Sequence, residues 1–226
     1  MTILSQEKPN MFPNNFHRRL LVVLIIGSSF PILGQETEKA SRKLKKVGLL
    51  FNSAKQNNFL FSDRDYDYQT NVIKAQLFYS LRKGEKWDIN IILQPQAQFA
   101  KHQLLNPFYV SSDLTNVQEL RDRFTQERNI ALYQFELGFQ LRTQLWDPIY
   151  FESTLGLGAG YISEESERLA KGFTFIENLS VGLAYQLTSS ELYLGMNVGH
   201  VSNFDTQTPN DGYNILGFEI GYRILL

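Results

Sequence analysis

Period-two alternation runs through this chain from residue 45 to its end. Such alternation sends successive side chains to opposite faces of a strand, so each run has one apolar and one polar face. Residues 71–81 set Ile73, Ala75, Leu77, Tyr79 and Leu81 against Lys74, Gln76 and Ser80. Residues 87–99, 131–145, 149–161, 173–187 and 192–202 repeat the pattern. A last run carries Phe218, Ile220, Tyr222, Ile224 and Leu226 on one face, and a weaker one at 45–53 completes eight strands. Residues 82–86, 146–148 and 188–191 read as tight turns, whereas 54–67, 101–128, 163–171 and 203–213 are longer polar loops. Many runs match the roughly 9–11 residues of a tilted membrane-crossing strand. Short turns at one end and long loops at the other complete the layout of a barrel that spans a membrane. The expected fold is therefore all-β, an eight-stranded antiparallel up-and-down transmembrane β-barrel with apolar side chains outward and a filled polar lumen. A soluble lipocalin-type barrel would reverse the two faces.

The first 35 residues read as a signal peptide. His17, Arg18 and Arg19 precede an apolar run from Leu20 to Leu33 that Gly27, Ser28, Ser29 and Pro31 interrupt. That run is too short and too broken for a membrane helix. The expected division is a signal peptide over 1–35 and a barrel domain over 36–226, with the bacterial outer membrane as destination. With 22 Lys+Arg against 23 Asp+Glu, no basic field points to nucleic acid. Without cysteine there is no disulfide, thiolate metal site, cysteine nucleophile or lipidated cysteine. No metal or cofactor is expected; Asp205 and Asp211 read as solvated loop residues rather than a calcium site.

Beyond residue 35 there are two histidines, His102 and His200. His102 falls in the polar phase at the end of the third run and reads as a solvated residue of the lumen rim or loop. His200 and Ser202 share the phase of Leu192, Leu194, Met196 and Val198. Both side chains are therefore expected on the outer, lipid-facing surface near a long loop. A hydrolase acting on an outer-leaflet lipid needs its nucleophile there, although polar residues at the headgroup boundary cost only about 0–1 kcal/mol.

The surrounding segment reads Gly199-His-Val-Ser-Asn203, then Phe-Asp-Thr-Gln-Thr, then Pro209-Asn-Asp-Gly-Tyr-Asn214. It resembles the lipid A 3-O-deacylase or acyloxyacyl hydrolase family of eight-stranded outer-membrane barrels, with its His-x-Ser-Asn and Pro-Asn-x-Gly near the C-terminus. The resemblance implies Ser202 as nucleophile, His200 as general base and acid, and Asn203 as a support for the oxyanion. It implies that Pro209, Asn210 and Gly212 shape the loop into the last strand. The implied substrate is lipid A or lipopolysaccharide in the outer leaflet, with the acyl position undetermined and a homodimer left open. The chain departs from the family at Asn214, where well-known members carry a glutamate. Glu177 is a candidate replacement, because it is an ionisable group in the apolar phase of the sixth run. A turn at Ser189-Ser190 would set it opposite Ser202, and a shift of two opposite His200. The rival reading is a noncatalytic small barrel with a structural or adhesive role, and Asn214 is its best support.

Overall fold

The computed structural model describes residues 43–226, so the expected signal peptide lies outside the described residues. Eight strands follow in order: β1 (Leu44–Lys55), β2 (Tyr66–Arg82), β3 (Asp88–Leu104), β4 (Arg128–Trp146), β5 (Ile149–Ile162), β6 (Gly172–Gln186), β7 (Ser190–Ser202) and β8 (Tyr213–Leu225). Each pairs antiparallel with its neighbour, and β1 also pairs with β8 from Lys46↔Leu225 to Lys55↔Leu216. The barrel is closed. Closure leaves no strand edge, which is the condition for a sheet to stand in lipid.

The two phases of the alternation face as expected. Phe135, Phe139, Leu141, Leu183, Leu194 and Ile220 are exposed on the outside. An apolar belt of this kind is stable where hydrocarbon, not water, covers it. The lumen holds the charges. Glu152 accepts from Arg142 and Arg223, each at 2.6 Å, and Glu191 accepts from Arg142 at 2.6 Å and Lys46 at 2.8 Å. Further up, Glu136 accepts from Lys74 (3.0 Å), Gln94 (2.6 Å) and Asn178 (2.7 Å). Gly156 makes room for that carboxylate, since a Cβ there would run into it. The lumen is a cross-linked polar core rather than an open channel.

The strands outrun the sequence pattern at the long-loop end. β2 begins five residues earlier than the alternating run that marked it, at Tyr66, and β3 continues to Leu104. There the phases invert. Tyr66, Tyr68, Ala100, Leu104, Ile130 and Tyr213 point inward into a buried apolar cluster, while Asp67, Gln69 and Lys101 point outward. Above the lipid the outer face meets water, so the lumen becomes the place to bury apolar side chains. The loop over 105–127 contributes a short 3-10 turn at Pro107–Tyr109 and a helix, α1 (Val117–Phe124), within a stretch whose sequence pattern shows only a polar loop. Val110 and Phe124 close the cluster from above.

His102 belongs to this buried region, which corrects its reading as a solvated residue. It is 1% exposed, stacked on Tyr68 at 4.3 Å between centroids, with Nε2 2.6 Å from Glu167 Oε2. Its phase was read correctly, but the cap that buries it comes from distant loops.

Glu152→Gln should destabilise the barrel by about 3–5 kcal/mol, because it leaves two buried guanidiniums short of a counter-charge. Urea unfolding of the barrel in lipid vesicles measures this. A loss below about 1 kcal/mol would mean that these charges behave as hydrated surface ions.

Candidate functional site

Three adjacent strands, β6, β7 and β8, carry the candidate residues. The β6–β7 hairpin closes on Thr188-Ser189, where Leu187 N–H donates to Ser190 O, one residue earlier than the turn expected at Ser189-Ser190. The register therefore moves by two, and Glu177 stands opposite His200 rather than Ser202, which faces Phe175. On the other flank His200 pairs with Asn214. His200 thus lies between Glu177 and Asn214 on one line of cross-strand neighbours, where side chains meet.

His200 keeps the outward phase of Leu192 and Leu194 and is half-buried. Its Nδ1 lies 2.8 Å from Asn214 Oδ1. With Nδ1 protonated, the ring donates to that oxygen and leaves a lone pair on Nε2 for accepting a proton. Ser202 lies two residues on, on the same face at the end of β7. It is only 8% exposed, less open than a bare lipid-facing serine. Phe175 flanks it across the ladder, and the ensuing turn brings the exposed Phe204 ring to 5.5 Å from that of Phe175. An apolar wall therefore stands beside the hydroxyl.

That turn is unusual. Phe204 and Asp205 have φ of 58° and 57°, and Thr206 N–H donates back to Asn203 O at 3.2 Å. Two non-glycine residues in the left-handed region are strained, and such strain persists only where surrounding contacts hold it. Asn203 is a large part of that hold. Its backbone N–H donates to Asn210 Oδ1 at 2.6 Å, and its side-chain amide donates to Gln207 O (2.8 Å) and Pro209 O (3.1 Å). Each N–H donor of Asn203 is thus engaged within the loop that follows Ser202. Asn210 extends the clamp by donating to Asp205 Oδ1 at 2.7 Å.

Gly212 ends the loop at φ +61°, and its open side faces the histidine. A Cβ there would lie 3.1 Å from His200 Cε1 and 3.3 Å from Nε2, and would collide with Val201 O. Gly212 therefore does more than turn the chain: its lack of a side chain leaves room for the imidazole. Sequence reasoning had no signal for that contact, nor for Arg168, whose side chain reaches this stretch from the β5–β6 loop.

Residues 134–223 match the lipid A 3-O-deacylase (PagL) family model. The matched stretch runs from β4 into β8 and includes Glu177, His200, Ser202, Asn203, Pro209, Asn210, Gly212 and Asn214. Among solved structures, the chain is similar to the outer membrane enzyme PagL, at 14% identity and a TM-score of 0.49, over 80% of this chain and 99% of that one. It is similar to Neisserial surface protein A, at 12% identity and a TM-score of 0.44, over 80% and 97%. It is also similar to the outer membrane protein AlkL, at 12% identity and a TM-score of 0.39, over 85% and 95%. No curated protein matches the chain. With the closed barrel, its apolar outer belt and the PagL match, the chain is an outer-membrane β-barrel that resembles the lipid A deacylases.

Gly212→Ala should cost at least about 1–2 kcal/mol, the usual penalty for a side chain in the left-handed region, with the collision against Val201 O adding to it. It should also move the His200 ring resonances in ¹⁵N-histidine spectra of the refolded barrel. Unchanged ring signals would mean that Gly212 does not confine the imidazole.

Proposed function

We propose that this barrel is a serine esterase that hydrolyses an ester-linked acyl chain of lipid A at the outer leaflet, without a cofactor. The observation that carries the reading is the His200–Asn214 contact on the outward face, beside Ser202, within the stretch that matches the lipid A 3-O-deacylase family.

The geometry suggests the steps. An acyl chain lies against Phe175 and Phe204, where each buried methylene contributes about 0.8 kcal/mol. His200 Nε2 takes the proton of Ser202 as Oγ attacks the ester carbonyl. The imidazolium then protonates the departing alcohol, a sugar hydroxyl for a direct 3-O chain or the hydroxyl of a hydroxyacyl chain for a secondary one, leaving an acyl-serine. Water, deprotonated by the same nitrogen, releases the fatty acid and restores Ser202. Asn214 fixes the ring and its tautomer but brings no charge. Glu177, the other cross-strand neighbour of His200, would supply the negative charge that stabilises the imidazolium. Whether the ester is the direct 3-O chain or a secondary acyloxyacyl chain follows from the mass lost in the assay.

The test is mass spectrometry of lipid A after incubation with the refolded protein. The native chain should remove one acyl or hydroxyacyl group and Ser202→Ala none. If Glu177 carries the charge, Glu177→Gln should lose about 10³–10⁴ in kcat, the scale seen when an amide replaces the triad carboxylate in a serine protease. Asn214→Glu should then change kcat by less than about tenfold. A folded native barrel that leaves lipid A intact would overturn the esterase reading and favour the noncatalytic barrel, for which Asn214 is the motivating feature.

A further inference from the structure

Outside the Ser202–His200 pair, the most heavily engaged side chain near the site is Arg168, in the loop between β5 and β6. It is 8% exposed. Its Nε donates to Gly212 O at 2.5 Å, and a terminal nitrogen donates to Asp211 O at 3.2 Å. In return its own carbonyl accepts from Asp211 N–H (2.8 Å) and Gly212 N–H (3.3 Å). One residue therefore binds both carbonyls and both amides of the two-residue step that ends against the His200 ring. Leu169 bridges to Asn210 and Ala170 N–H donates to Pro209 O at 3.0 Å, so 168–170 lies along 209–212 like a short added strand.

The guanidinium is itself braced. It sits over the Tyr66 ring at 4.1 Å from the centroid and donates to Tyr109 Oη at 2.6 Å. Tyr109 donates onward to Asp211 Oδ2 at 2.7 Å, closing a ring of contacts around the same segment. Burying a guanidinium is costly unless hydrogen bonds satisfy it, and here two carbonyls and a hydroxyl do so. The fork of a guanidinium can reach two successive carbonyls, which a lysine ammonium, a single point charge, cannot match.

We propose that Arg168 is a positioning residue of the esterase site: it pins Gly212 against the imidazole edge, and so fixes the attitude of His200 toward Ser202. The inference rests on the esterase reading for its catalytic consequence, but the hold on the ring can be measured without it. The experiment compares the native chain with Arg168→Gln, Arg168→Lys and Tyr109→Phe, each refolded and checked for the gel mobility of the unheated barrel. Two readouts are taken: the ¹⁵N-histidine ring signals of His200, assigned by their loss in His200→Gln, and kcat and KM on lipid A. Arg168→Gln should broaden or shift the ring signals and lower kcat about 10- to 100-fold, the scale of an ångström-sized misplacement, with KM little changed. Arg168→Lys should recover part of the loss, and Tyr109→Phe should act in the same direction but more weakly. Ring signals and kcat identical to the native chain in Arg168→Gln would overturn the proposal. If the native chain hydrolyses nothing, the esterase reading fails on its own. The ring signals then decide alone: a change in Arg168→Gln upholds the hold on His200, and unchanged signals sink it.

Discussion

The pairing of β1 with β8 is the constraint from which the rest follows. In hydrocarbon every backbone N–H and C=O must find a partner within the protein, and closing the sheet satisfies them all around the wall. Closure also divides the side chains into two populations with no third option. Inward groups must fill the lumen, and they do so with ion pairs and amides around Glu152, Glu191 and Glu136. Outward groups meet lipid. A site for a membrane lipid can then be built on the wall itself, from three neighbouring strands, and needs no passage through the interior.

Much of this architecture was legible in the alternation, because a membrane-spanning strand is forced to declare its two faces. What was not legible lies where that force ends. Above the lipid the outer face turns polar, as at Asp67 and Gln69, while Tyr66 and Tyr68 turn inward. The alternation persists there with inverted sense, and a rule built on outward apolar residues stops too soon. His102 was misread for the same reason. Its place in the polar phase was correct, yet that phase leads into a cluster roofed by Val110, Phe124 and Leu169, whose contacts span tens of residues.

The site was legible to the extent that its residues are local. His200, Ser202, Asn203 and the Pro209–Gly212 stretch all fall within residues 200–212, and the phase of β7 placed the histidine outward. Glu177 required a register across a hairpin. A turn misplaced by one residue moves the pairing by two, which keeps the face but changes the partner. Arg168 left no trace in pattern or motif, since only the packing of one loop on another brings it to Gly212. The contacts of Asn203 depended on the same unseen detail, since its amide binds carbonyls of the loop that follows it.

The position of β7 between two partners makes the change at residue 214 less drastic than it looks. His200 has one cross-strand neighbour on β8 and another on β6, and each stands directly opposite on the same outer face. A triad divides two tasks between its members: the imidazole must be held in one tautomer, and its positive charge must be balanced as it forms. In the lipid A deacylase pattern one glutamate on the last strand could do both. In the reading proposed here the tasks are split, with Asn214 orienting the ring from β8 and the carboxylate of Glu177 facing it from β6. The split has a physical cost. A carboxylate kept on the outer wall must be solvated by headgroups or held by its neighbours, and half-buried Glu177 lies toward the long-loop end of β6, away from the middle of the apolar belt. The same placement sets Glu177 opposite His200, which is what the proposed division of tasks requires.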